Sequence, residues 1–250
     1  MKGVLLWLIN IQKQNPNFLP RITLDKSLKA TNNLNDFADF ETLLLAVPTQ
    51  HLRATVKLLE PRMQKNAPIV ICSKGIEETT SSLASTVVQE ILPETIPAVL
   101  SGPTFAAEVA MGLPTAVTLA CQNKIVCKRL AEILCCKNLR LYLSDDLVGV
   151  QVGGALKNVI AIAAGIVYGL NLGENARAAI ITRGLIEIMR IGLVLGAQKH
   201  TLMGLSGLGD LVLTCSSPQS RNFSLGIKIA AGISASEFLS KQYSVAEGAY

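Results

Sequence analysis

Residues 42–72, TLLLAVPTQHLRATVKLLEPRMQKNAPIVIC, decide the fold class. Apolar runs occupy 42–47 and 69–72, and a helical stretch lies between them at 50–59. Strands that are buried on both faces are apolar throughout, whereas a strand with one wet face alternates polar and apolar residues. Two such runs joined by a helix therefore predict a βαβ unit in a parallel sheet that is covered on both faces.

The same alternation continues on both sides of this stretch. Further apolar runs occupy 98–100, 116–120 and 139–143, and further helical stretches occupy 83–92 and 125–134. The apolar run at 4–8 is interpreted as one more buried strand. Because parallel strands need crossover connections, usually helices, the first part of the chain is predicted to form a doubly wound α/β sheet.

The pattern changes after Ser144. Two aspartates follow, and their negative charge favours a helix N-terminus. From there on the apolar spacing is helical, most clearly at 175–195, and no convincing strand occurs. The sequence therefore predicts two domains, a sheet domain at 1–143 and an all-helical domain at 144–250.

The composition is that of a well-packed globular protein. Of the 250 residues, 50% are hydrophobic and 16% are charged, which argues against disorder. The net charge of +5 comes from scattered lysines and arginines without a basic run, so no nucleic-acid partner is expected. A small anionic substrate would suit the same surplus of positive charge.

The six cysteines do not form a metal-binding motif. None belongs to a C-x-x-C pair, and the chain has only two histidines that could add imidazole ligands. We therefore expect no bound metal. The simplest interpretation of the cysteines is free thiols in a reducing cytoplasm.

One stretch, residues 147–170, is long and apolar enough to span a bilayer. It contains Gln151, Lys157 and Asn158, which a lipid-exposed helix tolerates badly. A helix buried in the core of a soluble protein is the better interpretation, and no integral membrane segment is expected.

The most informative stretch for chemistry is VQVGGALKNVI at 150–160. Burying an unpaired ammonium is costly, so Lys157 in this apolar helix must be neutralised, paired or functional. Gly153 and Gly154 lie one turn earlier and let another group approach the backbone, although each weakens the helix by about 1 kcal/mol relative to alanine. A structural ion pair and a catalytic lysine both remain open on these grounds.

Other candidate segments follow predicted strands or lie in the helical part. Lys74 follows the run IVIC, and SGPTFAAE at 101–108 offers a turn whose N–H groups could face a ligand. GLSGLGD at 204–210 matches neither the dinucleotide nor the P-loop spacing. SRN at 220–222 could bind a phosphate monoester through a guanidinium fork, or could be a helix N-cap with a surface arginine.

The motifs of the chain occur in one characteristic order. They are NPNFLP at 15–20, LLLAVPTQHLR at 43–53, SKGIE at 73–77, LSGPTFAAEVAMGLPTAV at 100–117, GVQVGGALKNVIAIAAGI at 149–166, NARAAIITRGL at 175–185, GLSGLGDLVLTC at 204–215, SRN at 220–222 and VAEG at 245–248. Over nearly the whole chain they resemble the bacterial NAD(P)-dependent glycerol-3-phosphate dehydrogenases. GPTFA, GGALKN and GLGDLVLTC are the most specific of them.

The resemblance implies both a fold and a reaction. The fold would be a Rossmann-like doubly wound parallel sheet followed by an all-α C-terminal domain like that of 6-phosphogluconate dehydrogenase. The reaction would be hydride transfer between NAD or NADP and C2 of dihydroxyacetone phosphate or sn-glycerol 3-phosphate, for glycerophospholipid synthesis. The resemblance also implies a cytoplasmic homodimer, and it leaves the choice between NADH and NADPH open.

The site residues of the family fall on particular positions of this chain. Its general acid/base lysine falls on Lys157, which suits the reduction of a ketone because the developing alkoxide needs a proton. The substrate positions fall on Lys74, Gly102, Thr104, Lys157, Asp210, Ser220, Arg221 and Asn222. The cofactor positions fall on Lys74, Ala106, Arg221, Val245 and Glu247.

The chain departs from the family pattern at both ends. The family opens with a strand, a G-x-G-x-x-G turn and a helix, but here no glycine occurs between Gly3 and Gly75, and VAEGAY ends where the family continues. We therefore expect a chain that lacks the first strand and the glycine turn, which would weaken both its stability and its NAD(P)H binding and leaves its activity open. The alternatives are a non-catalytic remnant or pseudogene product of the family and an unrelated binding module on a Rossmann-like fold.

Overall fold

A computed structural model describes residues 2–37, 40–235, 237 and 247–249 of the chain. The strands are β1 (Gln14–Asn15), β2 (Leu19–Thr23), β3 (Leu43–Leu45), β4 (Pro68–Ile71), β5 (Ile96–Ser101), β6 (Thr115–Ala120) and β7 (Leu139–Ser144). The α-helices are α1 (Lys2–Trp7), α2 (Thr49–Leu59), α3 (Ala84–Ile91), α4 (Ala106–Ala110), α5 (Lys124–Leu134), α6 (Leu147–Gly169), α7 (Gly173–Val194), α8 (Lys199–Leu202), α9 (Asp210–Cys215) and α10 (Arg221–Ala230). Leu8–Gln12 and Leu205–Gly209 are π-helical, and Leu34–Phe37, Glu60–Arg62 and Glu247–Ala249 are 3-10 helices.

The strands β3 to β7 form one sheet in their order along the chain. β3, β4 and β5 are parallel, with α2 and α3 between them, which confirms the predicted Rossmann-like α/β class. β6 runs antiparallel to β5, however, and β7 is parallel to β6. The sequence did not predict this reversal. It follows from the connection between β5 and β6, whose helix α4 has only five residues and does not carry the chain back across the sheet.

Both faces of the sheet are covered, as the continuous apolar runs predict. Along β4, Ile69 and Ile71 pack in one buried cluster with α2, α3 and the start of α6. The residue between them, Val70, packs in a second cluster with α5 on the opposite face. Successive side chains of a strand point to opposite faces, so consecutive apolar residues of one strand pack in both clusters.

In the helical part of the chain, α6 packs against α7, α9 and α10. Gly165 lets α10 approach closely, because a Cβ there would lie 2.1 Å from the carbonyl oxygen of Phe223. Of the described helices, α6 alone is long and apolar enough to cross a membrane, and 67% of its most apolar window is buried within the protein. These contacts make α6 the core helix of this part.

The junction between the sheet and the helices is short. β7 ends at Ser144, and α6 begins at Leu147 with Asp146 as its N-cap, whose Oδ1 accepts a hydrogen bond from Gly149 N at 2.7 Å. The described residues after this junction contain helices and no strand. The division into domains at 143 and 144 itself stays a prediction.

The predicted strand at 4–8 is wrong. Residues 2–7 form α1 and the next five form a π-helical turn, and Val4 and Trp7 are 64% and 52% exposed. In the part of the chain that the structure describes, this segment pairs with no strand of the sheet. Its backbone groups therefore form local helical hydrogen bonds, because a strand needs a neighbour to satisfy them.

Candidate active site

The cluster around Lys157 depends on a close contact between α6 and the π-helical turn Leu205–Gly209. A Cβ on Gly153 would lie 2.6 Å from the carbonyl oxygen of Ser206, so this approach requires glycine. α9 begins with Asp210 directly after the turn and is thereby brought beside Lys157. The glycine-rich motif GLSGLGD at 204–210 thus packs closely against α6, and this packing places the carboxylate of Asp210 beside Lys157.

Two lysines share that carboxylate. The ammonium of Lys157 donates to Asp210 Oδ1 and, at 3.0 Å, to Thr214 Oγ1. The ammonium of Lys74 donates to Asp210 Oδ2 at 2.8 Å and to the carbonyl oxygen of Gly102 at 3.0 Å. An ammonium has three N–H groups. Within the described residues, each lysine therefore keeps one N–H for a ligand.

The pKa of Lys157 suits proton transfer near neutral pH. Burial lowers its pKa to about 8, and the positive charge of Lys74 adds to this, while the carboxylate of Asp210 opposes both effects. The side chain of Lys157 is 7% exposed and that of Asp210 is 1% exposed. Lys157 can therefore exist in both its protonated and its neutral form under physiological conditions.

A chain of amides supports Lys74 from the helical side. Asn158 Nδ2 donates to the carbonyl oxygen of Lys74 at 3.0 Å, and Asn222 Nδ2 donates to Asn158 Oδ1 at 2.9 Å. Asn158 and Thr214 are absent from the site predicted by sequence. Weak signals for them exist, because Asn158 directly follows Lys157 in an apolar helix and Thr214 lies one helical turn after Asp210.

The segment SRN begins α10. Ser220 is the N-cap, and its Oγ accepts a hydrogen bond from Phe223 N at 3.2 Å. Ser220 and Asn222 are buried, whereas Arg221 is exposed and has no hydrogen-bond or ion-pair partner among the described residues. The N-cap interpretation of Ser220 is therefore correct. It is compatible with ligand binding, because no described residue pairs with the guanidinium beside the cap.

The turn after β5 contributes through its backbone. Gly102 has φ +155°, and a Cβ on it would lie 2.9 Å from the Cα of Val117. Its carbonyl oxygen accepts hydrogen bonds from Lys74 and, at 3.3 Å, from Thr104 Oγ1. Ala106 begins α4 two residues further on. This turn is therefore connected to Lys157 through Lys74, which hydrogen-bonds both Gly102 and Asp210.

Glu247 is joined to the sheet part of the chain. Its Oε1 accepts hydrogen bonds from Thr49 N at 2.8 Å and from Thr49 Oγ1 at 3.1 Å, at the start of α2. The next residue, Gly248, donates its N–H to Asn222 Oδ1 at 3.1 Å. Val245, the remaining predicted cofactor residue, lies outside the described residues.

The donors of the site suit a ketone oxygen and a phosphate of a small substrate, and they do not form a pyrophosphate site of a dinucleotide. Lys74 and Lys157 each offer an N–H in a buried site, and the free guanidinium of Arg221 suits a phosphate oxygen. No glycine occurs between Gly3 and Gly75, so the described residues contain no glycine turn of the kind that holds a pyrophosphate.

A Rossmann-like sheet beside a helical part that contributes a buried lysine fits a nicotinamide-dependent dehydrogenase as the class of protein. Two family profiles support this class. The profile described as the NAD-dependent glycerol-3-phosphate dehydrogenase N-terminus matches residues 4–127, and that of the C-terminus matches residues 146–250. The chain belongs to the NAD-dependent glycerol-3-phosphate dehydrogenase family.

Individual relatives agree with the profiles. Glycerol-3-phosphate dehydrogenase [NAD(P)+] of Parvibaculum lavamentivorans is 49% identical over 97% of this chain and 73% of its own length. That of Paramagnetospirillum magneticum is 56% identical over 86% of this chain and 78% of its own length. The crystal structure of the Coxiella burnetii glycerol-3-phosphate dehydrogenase is 38% identical, with a TM-score of 0.95 over 100% of this chain and 77% of that one.

These findings confirm the predicted family, fold class, enzyme class and cofactor. The family is one of NAD(P)-dependent oxidoreductases with a dinucleotide-binding N-terminal domain. The alternative of a non-catalytic remnant receives no support from the relatives, and neither does an unrelated binding module.

Proposed function

We propose that the chain catalyses the reversible reduction of dihydroxyacetone phosphate to sn-glycerol 3-phosphate, as the names of its relatives indicate. The product would enter glycerophospholipid synthesis. The observation that carries the proposal is the buried Lys157 ammonium, which is held by Asp210 and Thr214 and keeps one N–H for the substrate. The test is the oxidation of NADH or NADPH by the purified protein, followed by absorbance, with and without dihydroxyacetone phosphate.

The side chains of Lys157, Lys74 and Asp210 would have separate roles in this reaction. When bound, the nicotinamide supplies the hydride. Lys157 donates a proton to the oxygen at C2 as the ketone becomes an alcohol, and it accepts the hydroxyl proton in the reverse direction. Lys74 directs its free N–H at the same ligand. Asp210 holds both ammonium groups in place, so that little reorganisation is needed during proton transfer.

The direction of the pH dependence follows from the pKa of Lys157. With a pKa of about 8, the amine is protonated at pH 7 and loses its proton as the pH rises. We therefore expect kcat/KM for ketone reduction to be level below pH 8 and to fall about tenfold per unit above it. For alcohol oxidation kcat/KM should rise up to about pH 8 and then level off. Initial rates in both directions from pH 6 to 10 test this, and identical profiles in the two directions would contradict it.

Arg221 is proposed to bind the substrate phosphate, with contributions from Ser220 and Asn222. Its guanidinium is exposed at the start of a helix, where N–H groups and the helix dipole favour an anion. Arg221→Lys keeps the charge but loses the planar fork, so KM for dihydroxyacetone phosphate should rise roughly tenfold. Steady-state kinetics measure this effect.

The matched control for Arg221 is Arg190→Lys on the exposed side of α7, where Glu187 is the ion-pair partner of the arginine in the described part of the chain. KM should stay unchanged in that variant. If Arg221→Lys also leaves KM unchanged, the phosphate is held elsewhere, and Lys74 becomes the next candidate.

We further infer that the protein acts in the cytoplasm as a homodimer. All six cysteines are free thiols, which is the state that a reducing compartment maintains. The dimer rests on the family resemblance and is tested by sedimentation equilibrium of the purified chain.

A further inference from the structure

The first turn of α2 is capped by a residue from far along the chain. Pro48 precedes the helix, and its side chain accepts no hydrogen bond. Instead, Glu247 Oε1 accepts hydrogen bonds from the backbone N–H and from the hydroxyl of Thr49. A carboxylate at a helix N-terminus is also favoured by the helix dipole. Thr49 therefore holds this carboxylate with two donors.

The neighbouring residue is anchored separately. Gly248 N donates to Asn222 Oδ1, and a Cβ on Gly248 would lie 2.7 Å from the backbone of Asn158. These contacts hold the turn Glu247–Ala249 against α6 and α10, and the two hydrogen bonds from Thr49 hold it against the start of α2. In the residues that the structure describes, Thr49 alone hydrogen-bonds the carboxylate of Glu247.

Thr49 also packs against the loop that carries Lys74. Thr49 is 1% exposed, and a Cβ on Gly75 would lie 2.7 Å from Thr49 Oγ1. The next residue of α2 adds to this contact, because Gln50 Nε2 donates to the carbonyl oxygen of Ile76 at 2.9 Å. One buried side chain therefore touches both Glu247 and the residue that follows Lys74.

We propose that Thr49 is a positioning residue that orients the Glu247 carboxylate relative to Lys74 and so shapes the cofactor side of the site. The inference rests on the proposed function, because there Glu247 and Lys74 take the family's cofactor positions. Thr49 acts through Glu247 and through the Lys74 loop. Its hydroxyl and its backbone N–H together hold the carboxylate, and its buried side chain lies between that carboxylate and Gly75 of the Lys74 loop.

The experiment compares two substitutions at position 49 with a matched control on the same helix. Thr49→Val keeps the buried shape and removes the hydroxyl donor, whereas Thr49→Ser keeps the donor. In the control, Thr55→Val, the hydroxyl that is lost donates to the backbone oxygen of His51 at 2.8 Å on the exposed face of the same helix.

The first readout needs no cofactor. In the ligand-free protein, amide hydrogen exchange at 247–249 should accelerate on the order of tenfold in Thr49→Val and return close to the wild-type rate in Thr49→Ser. The second readout is kinetic. In Thr49→Val, KM for NAD(P)H should rise on the order of tenfold, while kcat and KM for dihydroxyacetone phosphate change far less. Thr55→Val should match the wild type in both.

Three results would overturn the inference. They are unchanged exchange at 247–249 in Thr49→Val, an equal effect of Thr55→Val, and additive effects of Thr49→Val and Glu247→Gln on KM for NAD(P)H, since residues that act through each other are not additive. A wild-type protein without turnover would count against the proposed function instead. The exchange experiment would still decide the role of Thr49.

Discussion

Replacing Lys157 with alanine should lower kcat at least about 100-fold, which is the usual size of a general acid–base contribution. The ammonium of Lys157 is the donor that Asp210 and Thr214 hold in place, and its pKa of about 8 lies near the working pH. Without it, no proton reaches the oxygen at C2 from this side of the site. Initial rates at saturating substrate measure the effect, and the pH dependence described above should disappear together with the amine.

The control for this prediction is Lys128→Ala, which removes an exposed lysine of α5 and should leave kcat unchanged. Circular dichroism and thermal unfolding must show that Lys157→Ala is folded. Near-normal turnover by a folded variant would mean that another group supplies the proton, and the assignment would then be wrong.

The central strands β4, β5 and β6 could be predicted because each buries residues on both faces of the sheet. β4 has apolar residues at successive positions because they pack in two clusters, and the sequence at 69–72 is accordingly apolar throughout. The apolar run at 4–8 has the same composition but no strand partner among the described residues. Local sequence shows that a segment could be a strand, whereas pairing depends on residues elsewhere. The direction of β6 likewise depends on the path of the connection before it.

The site was predicted as a set of residues but not as an arrangement. Lys157 could be recognised in the sequence because an ammonium in an apolar helix must be neutralised, paired or functional. That Lys74 and Lys157 share Asp210 could not be predicted, since the contact depends on how closely the turn before α9 approaches Gly153. Asn158 was missed as a site residue because its position beside Lys157 is a weak signal, and its hydrogen bond to the backbone oxygen of Lys74 depends on the fold.

The segment SRN shows a further limit of sequence reasoning. Three adjacent polar residues suggest one common ligand, but the start of a helix turns them in different directions. Ser220 caps α10, Asn222 faces Asn158, and Arg221 points to solvent. The proposed role of the segment SRN in phosphate binding therefore rests mainly on Arg221.

Replacing Asp210 with asparagine should be the most damaging single change to the site. The carboxylate is 1% exposed and accepts hydrogen bonds from two ammonium groups, so its removal leaves the buried ammonium of Lys157 and the partly buried ammonium of Lys74 without their counter-charge. An amide would also turn an NH2 group towards one of the two donors. Breaking a buried ion pair costs about 3–5 kcal/mol, and we expect the free energy of unfolding to fall by that amount. Urea denaturation measures it.

The same substitution should change the pH dependence in a defined direction. Asp210 opposes the effects that lower the pKa of Lys157, so in Asp210→Asn this pKa should fall below its present value of about 8. The decline of ketone reduction should then begin at lower pH, in addition to a loss of kcat of at least about 100-fold. Asp145→Asn is the control, because Asp145 is exposed and accepts one hydrogen bond from Gln198 Nε2 at 3.2 Å. If Asp210→Asn leaves both stability and the pH profile as in the control, Asp210 cannot be the group that links the two lysines.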